Sequence, residues 1–159
     1  MTSEEPITDA VVEATLAAWA EAGRQSRVPI EGTSMWPVLQ PGDVVVVSHG
    51  RSGIHVGDVL AYRSKERAII VHRLLRRLPG SALQVAGDNR PLADPPLSPD
   101  RVLGRVMSVE TAAGRFSLER PVARALGWLL ARAFPFRNRR VLWRVVVWLR
   151  RLAAWILRP

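Results

Sequence analysis

Residues 42–63 read Gly-Asp-Val-Val-Val-Val-Ser-His-Gly-Arg-Ser-Gly-Ile-His-Val-Gly-Asp-Val-Leu-Ala-Tyr-Arg. The stretch holds two short runs rich in β-branched and apolar residues, and a Gly-Asp pair precedes each run. Short runs of this kind, bounded by turn residues, are typical of β-strands. The stretch therefore predicts two strands, over residues 44–48 and 59–63, with an irregular loop between them.

The same pattern continues along the chain and predicts three further strands, over residues 69–77, 83–86 and 102–109. The polar residues 64–67 are typical of a hairpin loop between two of these strands. Residues 91–99 include four prolines, which lack the backbone donor, so this segment is predicted to be irregular. The central part of the chain is therefore predicted to be mainly β.

Helices are predicted on both sides of this β region, because apolar residues recur there at spacings of three and four. One amphipathic helix is predicted over residues 8–23, and two more over residues 120–133 and 138–157. The sequence therefore divides into an N-terminal helix and linker (1–28), a β domain (29–117) and a basic helical tail (118–159).

Composition excludes several classes of protein and site. The chain has 159 residues, enough for one domain with a core, and it has no cysteine, which excludes disulfides, thiolate metal sites and cysteine nucleophiles. Residues 1–9 carry three acidic residues and no basic run, so no secretory signal is predicted. After Asn138, the longest uncharged stretch is residues 152–157, far shorter than the roughly 20 residues of a membrane span. We therefore predict a cytoplasmic protein that is peripheral at the membrane.

The positive charge is concentrated in the tail. The net charge is +9, and residues 112–159 hold 11 arginines against one acidic residue, Glu119. On the last helix arginines recur every seven residues, opposite an aliphatic stripe: Arg137, Arg144, Arg151 and Arg158. An arginine face opposite an apolar face predicts binding to an anionic membrane surface through residues 137–159. A protein partner or a second copy of the chain fits the same stripe, whereas no groove-reading motif supports nucleic acid.

Residues 32–43 read Gly-Thr-Ser-Met-Trp-Pro-Val-Leu-Gln-Pro-Gly-Asp and make Ser34 the leading candidate for a nucleophile. Gly32 before the serine and two prolines after it shape a loop that can continue neither a helix nor a central strand. Such loops often carry function. An ordinary surface turn ahead of the next strand is equally consistent with these residue types.

A serine hydroxyl needs a positioned base to act as a nucleophile. Histidines occur only at positions 49, 55 and 72, and Lys65 is the only lysine. His49 and His55 flank a Gly/Ser-rich loop, which predicts solvated side chains, and Lys65 lies in a predicted hairpin loop, where it would be protonated. His72 interrupts an apolar strand, so it is either the base or a core histidine with a single backbone contact.

Two aspartates could orient His72 by accepting its second ring proton. Asp88 lies in the Gly-Asp-Asn-Arg motif of residues 87–90, and Asp94 follows in the proline-rich segment. Both positions are also typical of ordinary turns. No two histidines share a metal-ligand spacing beside a carboxylate, so neither a metal nor a cofactor is predicted.

Five motifs follow one another in a fixed order: Gly32-Thr33-Ser34-Met35-Trp36-Pro37 with Gly42-Asp43-Val44, Gly57-Asp58-Val59, Val71-His72-Arg73, Gly87-Asp88-Asn89-Arg90 with Asp94, and Leu103-Gly104-Arg105-Val106. This series resembles the type I signal peptidase family of serine proteases, over about residues 30–109. The resemblance implies a coiled β-sheet catalytic domain in which Ser34 attacks a peptide carbonyl. His72 directly precedes Arg73, as in the branch of that family that uses histidine as the base.

The resemblance also implies roles for the two acids and for the backbone. Asp94 matches the third catalytic member, and Asp88 a supporting or alternative acid. The backbone N–H of Ser34 would stabilise the oxyanion, since Gly32 stands where many bacterial relatives carry a serine donor. An amphipathic helix replaces the usual N-terminal membrane anchor. We therefore predict a serine endopeptidase that cleaves a leader or signal-like peptide from a precursor protein.

Two alternatives stay open. Self-cleaving repressor and mutagenesis proteins are related and share the serine loop, but they use lysine as the base, and Lys65 is poorly placed for that. A non-catalytic β module that is membrane-associated or binds peptides would keep the same fold as a scaffold.

Overall fold

A computed structural model describes residues 21–50 and 53–136, together with residues 14, 18, 19, 148 and 152. The helices predicted over residues 8–23 and 138–157 lie almost entirely outside the described residues. Within the described part of the chain, no helix is long and apolar enough to cross a membrane.

Seven strands form one antiparallel sheet. The strands are β1 (Gln25–Pro29), β2 (Val44–His49), β3 (Val59–Arg63), β4 (Ile69–Arg77), β5 (Leu83–Ala86), β6 (Val102–Thr111) and β7 (Gly114–Ser117). In the sheet their order is β1-β2-β6-β3-β4-β5, and β7 pairs with β6. The predicted mainly β fold is confirmed, and β2 to β6 lie where the apolar runs place them.

Strands β1 and β7 are absent from the sequence-based prediction. β1 falls in the segment assigned to a linker, because Gln-Ser-Arg-Val-Pro has a single β-branched residue and ends in proline. Backbone pairing with β2 holds it in the sheet, from Gln25 opposite Ser48 to Pro29 opposite Val44. In β7 only Phe116 joins the core. Such short edge strands depend on ladder hydrogen bonds more than on apolar side chains, so hydrophobic periodicity does not reveal them.

Strand β3 is buried on both faces and separates two apolar clusters. Val59 and Ala61 belong to a first cluster, which also contains apolar residues from the segment 123–130. Leu60 and Tyr62 belong to a second cluster, which also contains residues of β5. Because successive side chains of a strand point to opposite faces, the two clusters lie on opposite faces of the sheet. Residues of even number on β3 therefore face the second cluster.

Helix α1 (Pro121–Ala133) covers one face of the sheet and confirms the helix predicted over residues 120–133. Proline at the first position suits a helix start, and the buried stripe includes Leu126, Gly127 and Leu130. Gly57, at φ +98°, approaches the helix so closely that a Cβ atom would lie 2.5 Å from the backbone nitrogen of Trp128. The helix therefore packs directly on the loop that precedes β3.

Candidate active site

Ser34 lies on the loop between β1 and β2, and backbone hydrogen bonds close this loop at its base. The N–H of Ile30 donates to the carbonyl of Asp43 at 2.8 Å, and the N–H of Gly42 donates to the carbonyl of Ile30 at 2.8 Å. The side chain of Met35, directly after the serine, is buried in the first core cluster. The loop is therefore held at its base and by its apolar residues, which fixes the position of the half-buried Ser34.

His72 lies on β4, and each of its ring nitrogens contacts a predicted site residue. Its Nε2 is 3.0 Å from Oγ of Ser34. Its Nδ1 is 2.5 Å from Oδ2 of Asp94. An ionised carboxylate can only accept a hydrogen bond, so Nδ1 carries the proton and Nε2 is left to accept one from the serine hydroxyl. The structure thus brings Ser34, His72 and Asp94 into one chain of hydrogen bonds.

Asp94 lies in the proline-rich loop after β5, and its backbone is tied to that strand. Its N–H donates to the carbonyl of Val85 at 2.9 Å, and its carbonyl accepts a hydrogen bond from the side-chain amide of Gln84. Burial alone would raise the pKa of Asp94, but the hydrogen bond and charge of His72 and the hydrogen bond from Tyr62 lower it below its ordinary value. The carboxylate is therefore held in the ionised form beside the imidazole.

Tyr62 is a site residue that the sequence analysis missed. Its hydroxyl donates to Oδ2 of Asp94 at 2.8 Å and lies 3.4 Å from Nδ1 of His72. Burial, with the negative charge of Asp94, raises the pKa of Tyr62, so the phenol keeps its proton. A tyrosine in an apolar strand is typical of core packing, so the sequence alone did not distinguish it. The register of β3 against β4 does, because it places Tyr62 diagonal to His72.

Asp88, the second acid that the sequence singled out, forms a buried ion pair with Arg73. Its two carboxylate oxygens accept from Nε of Arg73 at 2.8 Å and from its Nη2 at 2.6 Å. The remaining terminal nitrogen of Arg73 donates to the carbonyl of Gly57 at 2.7 Å. The side chain of Arg73 is 5 % exposed and that of Asp88 is 6 % exposed. The ion pair of Asp88 and Arg73 therefore ties the Gly-Asp-Asn segment to β4 and to the loop before β3.

The rest of the Gly-Asp-Asn motif contacts the serine loop directly. The N–H of Asn89 donates to the carbonyl of Ser34 at 2.6 Å, and its side-chain amide donates to the carbonyl of Thr33 at 3.2 Å. A Cβ atom at Gly87 would lie 2.6 Å from that same carbonyl of Ser34 and 3.0 Å from Nε2 of His72. Only glycine leaves room here, so the motif fixes the separation between Ser34 and His72.

The other candidate bases lie elsewhere. Lys65 is exposed in the turn between β3 and β4, and His55 is exposed with its Nδ1 3.0 Å from Arg124. The prediction that His49 is solvated is wrong, because its ring lies 2.6 Å from Oγ of Ser26 and 3.2 Å from a β6 carbonyl. His49 therefore lies at the end of β2, between β1 and β6. Among the described residues, no group of three or more acidic or histidine side chains could hold a metal ion.

The family of the chain follows from a comparison with known proteins. Residues 4–107, nearly two thirds of the sequence, match the family described as Peptidase S24-like. The chain belongs to the Peptidase S24-like family. The match supports serine peptidase chemistry, and it contains Ser34, His72 and Asp94. The type I signal peptidases that the motif series resembles are related to this family. No curated protein matches the sequence.

The matched region of this Peptidase S24-like protein ends within β6, before β7 and α1. The family therefore accounts for the serine loop and for the strands that carry the site residues. It does not account for the arginine-rich residues 112–159, which form a separate feature of the chain.

The lowered pKa of Asp94 predicts a pH dependence of stability. Because folding lowers this pKa, the ionised carboxylate stabilises the folded protein above its unfolded-state pKa of about 3.9, and the contribution is lost as the pH falls through the folded-state value. We expect Asp94→Asn to lower the free energy of unfolding most near neutral pH and progressively less below about pH 4. Urea unfolding of both proteins at a series of pH values measures the difference. A difference that stays constant with pH would contradict an ionised, partnered Asp94.

Proposed function

We propose that this protein is a serine endopeptidase in which Ser34 is the nucleophile, His72 the general base and Asp94 the residue that orients the base. The observation that carries the proposal is the unbroken chain from Oγ of Ser34 through both nitrogens of His72 to Oδ2 of Asp94. A serine, an imidazole and a carboxylate linked in this order form the Ser-His-Asp arrangement that carries out serine acyl transfer. Family membership supports the same chemistry.

The geometry suits a two-step hydrolysis. Oγ of Ser34 attacks the peptide carbonyl while Nε2 of His72 takes its proton, and the resulting imidazolium is stabilised by Asp94. The proton then passes to the leaving amine, which leaves an acyl-enzyme ester on Ser34. In the second step His72 takes a proton from water, the hydroxide attacks the ester, and Ser34 regains its proton. The backbone N–H of Ser34 is proposed as an oxyanion donor, since Gly32 offers no side chain.

The proposed substrate is a leader or signal-like peptide that is cut from a precursor protein. Support comes from the motif order, which resembles type I signal peptidases beyond the serine loop alone. Small residues before the cut are part of what that resemblance implies.

Self-cleavage is the second candidate, and family membership is the observation that favours it. In this mechanism a segment of the same chain would reach Ser34. Lys65 offers no support for the lysine-dependent form, because it is exposed in a turn while His72 contacts the serine. A histidine-dependent self-cleavage would use the same three residues, and kinetics distinguish the two processes.

The first test is peptide hydrolysis by the full chain. We expect Ser34→Ala and His72→Ala to lower kcat by roughly a thousandfold or more, because neither nucleophile nor base can be replaced. Lys65→Ala is the matched control and should retain wild-type activity. Cleavage of synthetic leader-type peptides is followed by mass spectrometry, which also reports the length of the enzyme itself.

Each outcome of this test bears on one mechanism. Unchanged cleavage in Ser34→Ala or His72→Ala would contradict the proposed site, and a loss in Lys65→Ala would favour a lysine base. Shortening of the enzyme chain at a rate independent of its concentration, with no cleavage of added peptide, would favour self-cleavage over leader processing.

We further propose that residues 137–159 bind an anionic membrane surface and make the protein peripheral there; the cytoplasmic side stays a prediction. The described part of the tail supports this, since large apolar side chains are exposed on and after α1: Val122, Trp128, Leu129 and Phe136. The guanidinium of Arg132 lies 5.2 Å from the centre of the Trp128 ring. Exposed tryptophan beside arginine is typical of membrane interfaces. A protein partner or a second copy of the chain would fit the same surface.

Charge removal tests the membrane proposal. We expect Arg151→Gln/Arg158→Gln to weaken binding of the full chain to vesicles that contain anionic lipid, by roughly 1 kcal/mol per charge. Lys65→Gln/Arg67→Gln removes the same charge from exposed positions in the β3–β4 turn and should bind as wild type. Co-sedimentation with anionic and with neutral vesicles measures both. Equal loss in the two variants, or equal binding to neutral vesicles, would contradict an anionic headgroup contact by the tail.

A further inference from the structure

We propose that Tyr62 is a positioning residue of the site, whose hydroxyl holds the Asp94 carboxylate in register with Nδ1 of His72. The inference rests on the proposed function, since it assigns Tyr62 to the same hydrolysis. It adds a fourth member to the chain Ser34, His72 and Asp94. Tyr62 would not touch the substrate and would act only through the carboxylate.

The contacts of Asp94 show why its carboxylate needs such support. The side chain of Asp94 is 25 % exposed on an irregular loop, whereas that of His72 is 6 % exposed on a central strand. Oδ2 of Asp94 accepts hydrogen bonds from both Nδ1 of His72 and the hydroxyl of Tyr62. Two donors on one oxygen fix the torsion of the carboxylate, where a single donor would leave it free to rotate toward solvent.

The sheet fixes Tyr62 at this place. In the β3–β4 pair, Leu60 lies opposite His72 and Tyr62 lies opposite Ile70. Tyr62 and His72 are therefore diagonal neighbours on one face, a separation that an aromatic side chain can span. Their ring centres are 6.2 Å apart, with the planes at 62°. The tyrosine thus provides a rigid support on a strand for an acid that lies on a loop.

Tyr62 is also suited to act as a permanent donor. It is 5 % exposed, and its raised pKa keeps the phenol protonated throughout the working range of a histidine base. The charged groups near the pair are Arg90, which acts on Asp94, and Arg101, which acts on Tyr62. Arginine side chains in proteins are effectively always protonated, so a shift of the pH profile reports on the histidine, the aspartate and the phenol.

Removal of the hydroxyl tests this inference. We expect Tyr62→Phe to lower kcat roughly tenfold, with KM unchanged, because a carboxylate loses one hydrogen bond. The acidic limb of the kcat/KM profile should move to higher pH. Without the phenol donor the Asp94 carboxylate is more basic, which favours the protonated form of the coupled Asp94–His72 pair. Ser26→Ala is the matched control. It removes a hydroxyl that contacts His49, outside the site, and should leave kcat and the pH profile unchanged.

A second measurement uses the fact that Tyr62 is the only tyrosine of the chain. Biosynthetic incorporation of 3-fluorotyrosine alters this phenol alone and makes it a stronger donor, so the acidic limb should move to lower pH. Opposite shifts in the two proteins are expected of positioning through the hydrogen bond, whereas a merely structural role predicts none. If Tyr62→Phe fails to fold, the pH profile of the protein with 3-fluorotyrosine still tests the inference.

The outcomes separate this inference from the proposed function. Cleavage that depends on Ser34 and His72, with kcat and the pH profile of Tyr62→Phe as in wild type, would overturn the positioning role alone. Equal peptide cleavage by wild type and by Ser34→Ala would overturn the proposed function. It would overturn this inference as well.

Discussion

The arrangement of the site depends on hydrogen bonds at both ring nitrogens of His72. Its partners are distant in sequence, since Ser34 precedes it by 38 residues and Asp94 follows it by 22. Only the sheet brings them together: β4 presents the imidazole, the β1–β2 loop presents the hydroxyl, and the loop after β5 presents the carboxylate. Because each nitrogen has a partner of defined chemistry, the tautomer of the ring is fixed, and so is the direction in which a proton can move.

The neighbouring Arg73 explains why the two aspartates near the site have different partners. Successive residues of β4 point to opposite faces of the sheet, so His72 and Arg73 recruit their acids on opposite sides. His72 binds Asp94 beside the second apolar cluster, while Arg73 binds Asp88 behind the serine loop. Loss of one partner of such a buried ion pair typically costs about 3–5 kcal/mol.

Sequence patterns predicted the strands that bury apolar residues, because strong apolar runs are easy to recognise. They also marked Ser34 on a restricted loop and His72 as a polar interruption of a strand, whereas the choice of Asp94 over Asp88 came from the resemblance to type I signal peptidases. Strand β1 has no such apolar run, since an edge strand is defined by its ladder bonds. Tyr62 was missed because its significance depends on the register of β3 against β4, which no local pattern encodes. His49 was predicted to be solvated from a neighbouring glycine-rich loop, yet tertiary contacts with Ser26 bury part of its surface.

The proposed acylation of Ser34, with His72 as the base, is measured directly by covalent labelling. Treatment of the full chain with an acylating penem, followed by intact-mass and peptide mass spectrometry, should show one acyl group on Ser34. Labelling should be absent in Ser34→Ala and strongly reduced in His72→Ala. An acyl group on another residue would contradict Ser34 as the nucleophile, and a folded wild-type protein that stays unlabelled would favour a non-catalytic β module.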